Sequence, residues 1–242
     1  MKCRSSFLLA LSLVLALAGA AGAAEPQDTA RTLSPPFELP LVELPAASGI
    51  TTAFMAVHLT GDGGWGITDA GLSKSLAARG IPVAGINALK YFWTKRTPDE
   101  CSRDLDRIIT YYSALWGRSK VILIGYSFGA DVMPFMYNKL PPSTRNKVAL
   151  LVEIGPSKTA DFYFHLSSWF GFASENSLPV LPQLERITTI PLLSVVGDDD
   201  NETIGRNLHM PNVTPLEVKA GHRVGGNYDP ILQAILKLSL QK

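Results

Sequence analysis

Short apolar segments alternate along most of the chain with segments of helical periodicity. The apolar runs cover residues 53–59, 81–86, 120–124, 149–154, 191–196 and 216–218. Apolar residues at helical spacing predict helices at 69–79, 98–116, 128–140 and 229–240, and Pro134 should kink the third unless it begins late. Continuous apolar strands separated by helices indicate a mostly parallel sheet covered on both faces. The predicted fold class is therefore α/β.

Two segments do not follow this alternation. Residues 25–50 are rich in Pro and Ala, which predicts an extended lead-in, or an edge strand at best, before a domain of residues 51–242. Residues 157–186 carry six aromatic side chains between two late strands. They would form either a cap over an apolar part of a substrate or a small satellite core.

The N-terminus has the pattern of a secretory signal peptide. Lys2 and Arg4 precede an apolar run over residues 7–18, and small residues follow as far as Ala24. This run is shorter than the roughly 20 residues that a membrane-spanning helix needs. We therefore expect residues 1–24 to be removed and the mature chain to lie outside the cytoplasm, with a retained anchor as the alternative.

The charge of the expected mature chain is nearly balanced. The full sequence has 22 basic and 21 acidic residues, and removal of Lys2 and Arg4 leaves 20 against 21. A nucleic-acid-binding protein normally has a basic surplus, so no nucleic-acid partner is expected. Cys101 would be the only remaining cysteine, which excludes an internal disulfide bond.

Ser127 is the predicted nucleophile. It lies in a Gly-x-Ser-x-Gly segment, residues 125–129, between an apolar strand and a predicted helix. In that context the two glycines allow a tight strand-to-helix turn that exposes the serine hydroxyl, as in the α/β-hydrolase fold. A serine that merely forms a turn is the alternative.

The best-placed general base is His222, in the glycine-rich loop between the last strand and the final helix. A serine hydroxyl is a poor nucleophile near neutral pH and needs such a base within hydrogen-bond reach. Other histidines of the mature chain lie in a strand, in the aromatic insertion and in a loop beside a proline: His58, His165 and His209.

The acid that orients this base should follow a late strand, between the serine and the histidine in the chain. Residues 198–200 supply three consecutive aspartates at that point. The Gly-x-x-Asp spacing favours Asp200, with Asp198 second and Glu153, at the end of an earlier strand, as a further alternative. Three adjacent acids would also suit a solvated loop or a weak cation site.

Acyl transfer needs hydrogen-bond donors directed at the developing oxyanion. One should be the backbone N–H of Phe128, and the other should come from Asp62 or Gly63 in the glycine-rich segment 60–66. A phosphate-binding loop is the competing interpretation, but the Gly-x-x-x-x-Gly-Lys-Ser/Thr pattern is absent. This chemistry needs neither a metal ion nor a cofactor.

Taken together, these segments resemble the VirJ/AcvB family of bacterial extracytoplasmic α/β-hydrolases. The matching stretches are residues 61–65, 91–93, 96–98, 125–131 and 221–222. The resemblance implies a periplasmic enzyme that hydrolyses the lysyl or alanyl ester of aminoacyl-phosphatidylglycerol at the membrane surface. The first-named relatives are linked to type IV secretion and virulence, which suggests secretion-system proteins as partners.

A substrate of this kind would be met by acidic and aromatic side chains. Its free ammonium group would favour a nearby carboxylate from Asp62, Asp131 or Glu153. Four aromatic residues would meet the lipid or else simply pack in the core: Trp65, Tyr91, Phe92 and Trp93. The competing functions are a general lipase, carboxylesterase or thioesterase with the same triad, and a non-catalytic periplasmic binding or scaffolding protein.

Overall fold

The computed structural model describes residues 35–164, 177–224 and 226–240. The predicted signal peptide, residues 25–34 of the lead-in and residues 165–176 of the aromatic insertion lie outside these ranges. Within them, no helix has both the length and the apolar character that crossing a membrane requires.

A seven-stranded sheet forms the centre of the described structure. Its strands in chain order are β1 Leu41–Leu44, β2 Phe54–Leu59, β3 Val83–Ile86, β4 Lys120–Tyr126, β5 Val148–Ile154, β8 Leu192–Gly197 and β9 Val213–Val218. Across the sheet they lie in the order β1-β3-β2-β4-β5-β8-β9. Every neighbouring pair is parallel except β1 with β3. The predicted α/β class with a mostly parallel sheet is confirmed.

Helices cover both faces of this sheet. They are α1 Ile67–Ala78, α2 Ala88–Tyr91, α3 Pro98–Leu115, α4 Phe128–Asn138, α5 Pro142–Arg145, α6 Leu181–Glu185 and α7 Asp229–Ser239. Alternate residues of each strand point to opposite faces. In β4, Val121 and Leu123 pack with α3 and α4, whereas Ile122 and Ile124 pack with α1 and α7. This double burial explains why residues 121–124 of β4 are apolar without interruption.

The sheet begins at β1, ahead of the predicted start of the domain near residue 51. Pro40 and Pro45 flank this strand, and an antiparallel edge strand tolerates proline because one side of it needs no ladder hydrogen bonds. The edge-strand interpretation of the lead-in therefore describes these residues correctly. Helix α4 also differs from expectation, because it begins at once after Ser127 and still continues through Pro134.

The described part of the aromatic insertion packs on the main core. Strand β6, Thr159–Ala160, pairs with β7, Leu178–Pro179, at the base of the insertion. Phe162 contacts Phe92 and Phe135 edge to face, and Phe164 lies 4.6 Å, centroid to centroid, from Phe128. Both aromatics pack on the main core, while Trp169, Phe170 and Phe172 lie outside the described residues.

Candidate active site

The proposed site residues collect at the carboxyl ends of the parallel strands, where ligands bind in open α/β sheets. The segment after β2 holds Asp62 and Gly63, and Ser127 follows β4 directly. Asp200 follows β8 and His222 follows β9, so strand order brings together residues that are far apart in the chain.

Ser127 occupies a strained turn between β4 and α4. Its φ of 51° and ψ of −119° are unusual for a residue with a side chain. The flanking glycines make the turn feasible. A Cβ at position 129 would lie 2.1 Å from the Leu59 carbonyl oxygen, and one at position 125 would lie 2.6 Å from the Cα of Ala130. Close approach of backbone to backbone therefore explains both glycines of the motif.

Ser127, His222 and Asp200 form a continuous hydrogen-bonded chain. The Oγ of Ser127 lies 2.7 Å from Nε2 of His222, and Nδ1 of the same ring lies 2.7 Å from Oδ2 of Asp200. The Asp200 side chain is 4% exposed and the His222 side chain 44%. A buried carboxylate that accepts a hydrogen from Nδ1 leaves Nε2 free to take the serine proton.

The structure distinguishes among the three aspartates and Glu153. Asp198 and Asp199 are exposed, and only Asp200 turns inward to His222. Glu153 is fully buried in β5, and neither of its carboxylate oxygens has a hydrogen-bond partner. Neither of the two alternative acids, Asp198 and Glu153, therefore forms a hydrogen bond with the histidine.

Two supporting residues were not predicted. Arg206 donates to the backbone carbonyls of Gly197, Asp198 and Asp200, and it also pairs with Glu217 on β9. It thereby fixes the loop that presents the acid. Gly155, with a φ of +63°, follows β5, and a Cβ there would lie 3.0 Å from Cε1 of His222. These roles depend on tertiary contacts and have no signature in the local sequence.

The expected oxyanion donors border the nucleophile. The N–H of Phe128 is the first of α4 and has no hydrogen-bond partner among the described residues. The segment after β2 also approaches Ser127, because a Cβ at position 61 would lie 3.5 Å from the Cβ of Ser127. Asp62 lines the cavities on both sides of Ser127, whereas Gly63 lines only one of them.

Two cavities meet at Ser127 and His222. The larger, of about 600 Å³, is lined by residues of the segment 61–69 and by Tyr126, Arg223, Gly226 and Tyr228, and we call it the glycine-loop cavity. The smaller, of about 280 Å³, is called the acidic cavity. Its further lining residues are Asp62, Phe128, Asp131, Gly155, Ser157, Thr159, Asp161, Phe164, Asp200, Glu202 and Thr203.

Of the predicted substrate contacts, Asp131 lines the acidic cavity, but the four aromatic residues line neither cavity, and Phe92 is fully buried in the core. Tyr91 is buried in the core, where its hydroxyl donates to Asp104, so its predicted substrate contact is wrong. Trp65 packs against the buried His58 ring. Trp93 is 72% exposed and lies outside both cavities. In the described ranges, no cluster of His, Cys, Asp and Glu is arranged to hold a metal ion.

A sequence model of a bacterial virulence protein family, VirJ, matches residues 53–242. The chain belongs to the VirJ family. No curated protein matches this VirJ-family chain significantly in sequence. Its fold is similar to solved structures of distant proteins. MenH from S. aureus has a TM-score of 0.60 and 16% identity, over 82% of this chain and 97% of that one.

Two further similar structures are esterase-like by name. Est1E from Butyrivibrio proteoclasticus has a TM-score of 0.60 and 13% identity, over 83% of this chain and 93% of that one. A lipase-esterase related protein from Clostridium acetobutylicum has a TM-score of 0.59 and 13% identity, over 83% of this chain and 100% of that one. At this level of identity the similarity shows that the VirJ-family chain has the α/β-hydrolase fold.

Proposed function

We propose that this VirJ-family chain is a periplasmic serine hydrolase that cleaves the aminoacyl ester of lysyl- or alanyl-phosphatidylglycerol. The hydrogen-bonded chain from Ser127 through His222 to Asp200, with 2.7 Å at each contact, carries the proposal. It supplies a nucleophile, a base and a group that orients the base, all at an opening in the protein surface.

Acylation begins with Ser127. Its Oγ attacks the carbonyl carbon of the aminoacyl ester while His222 Nε2 accepts the hydroxyl proton. The N–H groups of Phe128 and Asp62 donate to the oxyanion that forms. The bond from the carbonyl carbon to the glycerol oxygen then breaks, and His222 returns its proton to that oxygen. The products are phosphatidylglycerol and an aminoacyl ester of Ser127.

Deacylation uses the same residues. His222 takes a proton from water, whose oxygen attacks the acyl carbon of the Ser127 ester. When the intermediate collapses, the proton returns to the Oγ of Ser127 and the free amino acid leaves. Asp200 stabilises the imidazolium in both halves, because its buried carboxylate stays hydrogen-bonded to Nδ1.

The proposed substrate draws on the family resemblance and on the charges beside the nucleophile. An aminoacyl ester carries an ammonium group two bonds from the reacting carbonyl, and carboxylates line the cavity next to Ser127. A neutral acyl chain, as in a general lipase, would gain nothing from these carboxylates. Transport by the signal peptide would place the enzyme beside its lipid, with secretion-system proteins as proposed neighbours.

Release of amino acid from purified lipid tests the proposal. Wild-type protein should liberate lysine or alanine from vesicles that contain lysyl- or alanyl-phosphatidylglycerol, as measured by mass spectrometry. Ser127→Ala should lower the rate on the order of 10⁴-fold or more, because the nucleophile is absent. Unchanged release by Ser127→Ala would refute catalysis at this serine. Cleavage of short nitrophenyl esters without any cleavage of the lipids would instead indicate a general esterase.

A further inference from the structure

The lining of the acidic cavity is strongly asymmetric in charge. It contains five carboxylates, from Asp62, Asp131, Asp161, Asp200 and Glu202. No lysine or arginine lines this cavity in the part of the chain that the structure describes. Asp200 is hydrogen-bonded to His222, and Asp161 accepts a hydrogen bond from Ser177. Among the described residues, no lysine or arginine at the cavity wall balances the charges of the other three carboxylates, Asp62, Asp131 and Glu202.

Apart from Asp200 of the triad, Asp131 is the most buried carboxylate that lines the acidic cavity. It is 7% exposed, and its Oδ1 accepts the N–H of Ser157 at 2.5 Å. Burial raises the pKa of Asp131 well above its usual range, and the negative charges of Asp161 and Asp62 raise the pKa further. Such a carboxylate gains from a cation, since an opposite charge favours its ionised form.

A second buried carboxyl group, that of Glu153, interacts with Asp131 from outside the cavity lining. Glu153 in β5 is completely buried, and both of its oxygens lack a hydrogen-bond partner. Burial raises the pKa of Glu153, and the nearby Asp131 carboxylate adds to the shift. Glu153 does not line the acidic cavity, but its interaction with Asp131 disfavours two negative charges so close together, and a cation beside Asp131 would offset that repulsion.

The position of Asp131 suits one particular part of the substrate. Asp131 lies four residues after Ser127, one turn along the same helix, and its N–H donates to the Ser127 carbonyl at 3.1 Å. In an acyl-enzyme of Ser127, an α-ammonium group is two bonds from the acyl carbon. The glycine-loop cavity, by contrast, is lined by the exposed Arg223 together with Asp62 and Asp69, so it is less acidic and suits the anionic alcohol part better than the acidic cavity does.

We propose that the acidic cavity binds the acyl part of the substrate as a cation, with the Asp131 carboxylate facing its α-ammonium group. This proposal rests on the proposed hydrolase function and adds its specificity-determining residue. The ester's two substituents leave the carbonyl carbon in different directions. The alcohol part therefore occupies the glycine-loop cavity while the aminoacyl part occupies the acidic one.

Two soluble esters separate this proposal from the hydrolase function itself. The nitrophenyl esters of alanine and of propionic acid differ only by the ammonium group, and the ratio of their kcat/KM values measures recognition of that group. Asp131→Asn should lower this ratio about tenfold to a hundredfold, the usual effect of losing a hydrogen bond to a charged group. The comparison of variant with wild type cancels the different intrinsic reactivities of the two esters.

Two further variants complete the test. Glu202→Gln removes an exposed carboxylate at the rim and should lower the ratio about two- to threefold at low salt, less at high salt. Glu185→Gln removes the same charge from α6, away from both cavities, and should leave the ratio unchanged. The propionyl ester reports whether each variant is folded.

The outcomes are distinct. An unchanged ratio in both Asp131→Asn and Glu202→Gln, with Ser127-dependent cleavage of both esters, would overturn the cation site and leave the hydrolase intact. If Asp131→Asn does not fold, an unchanged ratio in Glu202→Gln at low salt overturns the cation site and leaves the hydrolase function intact. Failure of the wild type to cleave either ester would overturn the hydrolase function, and the cation site with it.

Discussion

Two residues in this region have features that are unfavourable in most proteins: a strained backbone conformation and a buried polar group without a partner. Ser127 has a positive φ, and Glu153 keeps a carboxyl group in a fully buried position without a hydrogen-bond partner. Each costs stability, because strained dihedrals and unpaired buried polar groups are both unfavourable. Such costs are concentrated at functional sites, which is where these two residues lie.

Glu153 should make stability depend on pH. Burial and Asp131 raise the pKa of Glu153 well above its usual value of 4.5. Below a pH of 4.5 the Glu153 carboxyl group is mostly protonated in both the folded and the unfolded chain. As pH rises, the unfolded chain loses the proton first, so the free energy of unfolding falls until pH passes the folded pKa.

Glu153→Gln should remove this slope. Between pH 5 and pH 8 the Tm of the wild type should fall relative to that of the variant by about 2–4 °C for each kcal/mol of lost stability. Thermal unfolding at both pH values, with the exposed Glu185→Gln as control, measures the difference. Parallel Tm curves for wild type and Glu153→Gln would contradict the assignment of a raised pKa.

At the scale of elements, the nucleophile turn depends on close packing of α4 against the ends of β2 and β4. The first turn of this helix lies so near the backbone of β2 that position 129 has no room for a side chain. A similar constraint joins the strands after the site: Gly155 leaves space for His222, and Arg206 links the β8 loop to β9. Packing of elements, rather than the loops alone, therefore holds the triad.

Gly129→Ala tests this constraint. The added Cβ would lie 2.1 Å from the Leu59 carbonyl oxygen, so β2 or α4 must move. We expect a loss of about 1–3 kcal/mol in the free energy of unfolding, with loss of esterase activity. Gly63→Ala is the matched control for stability, because a Cβ there meets nothing within 4 Å. Equal unfolding midpoints for the two variants would show that the turn is not tightly packed.

For the whole molecule, those features of the fold that depend on local residue patterns could be predicted from the sequence. Mostly apolar runs predicted the central strands, because strands buried on both faces have few polar positions. Glycine spacing around Ser127 predicted its turn. The functional site was only partly accessible to such reasoning: three adjacent aspartates look alike in sequence, and only the fold, with Arg206 on their carbonyls, turns Asp200 inward. The substrate contact predicted for Tyr91 was wrong for the same reason, because its hydrogen-bond partner Asp104 belongs to another element.

The arrangement of the whole sheet gives the site two unequal sides. Segments after β2, β4, β5, β8 and β9 all reach the same edge and divide the space around Ser127 into the glycine-loop cavity and the acidic cavity. The first is lined by Arg223, Asp62 and Asp69, whereas the second is lined by five carboxylates and, among the described residues, by no lysine or arginine. A substrate with a cationic acyl group and an anionic alcohol therefore matches the site in one direction.

Covalent labelling with a fluorophosphonate, followed by peptide mass spectrometry, tests the central claim that Ser127 is an activated nucleophile. The account predicts one adduct, on Ser127, which forms about 10²- to 10⁴-fold more slowly in Asp200→Asn, because that change disturbs the tautomer of His222. Asp198→Asn should label at the wild-type rate, since its side chain is exposed and does not contact the histidine. An absence of adduct on Ser127 in folded protein, or equal rates for Asp200→Asn and wild type, would contradict the account.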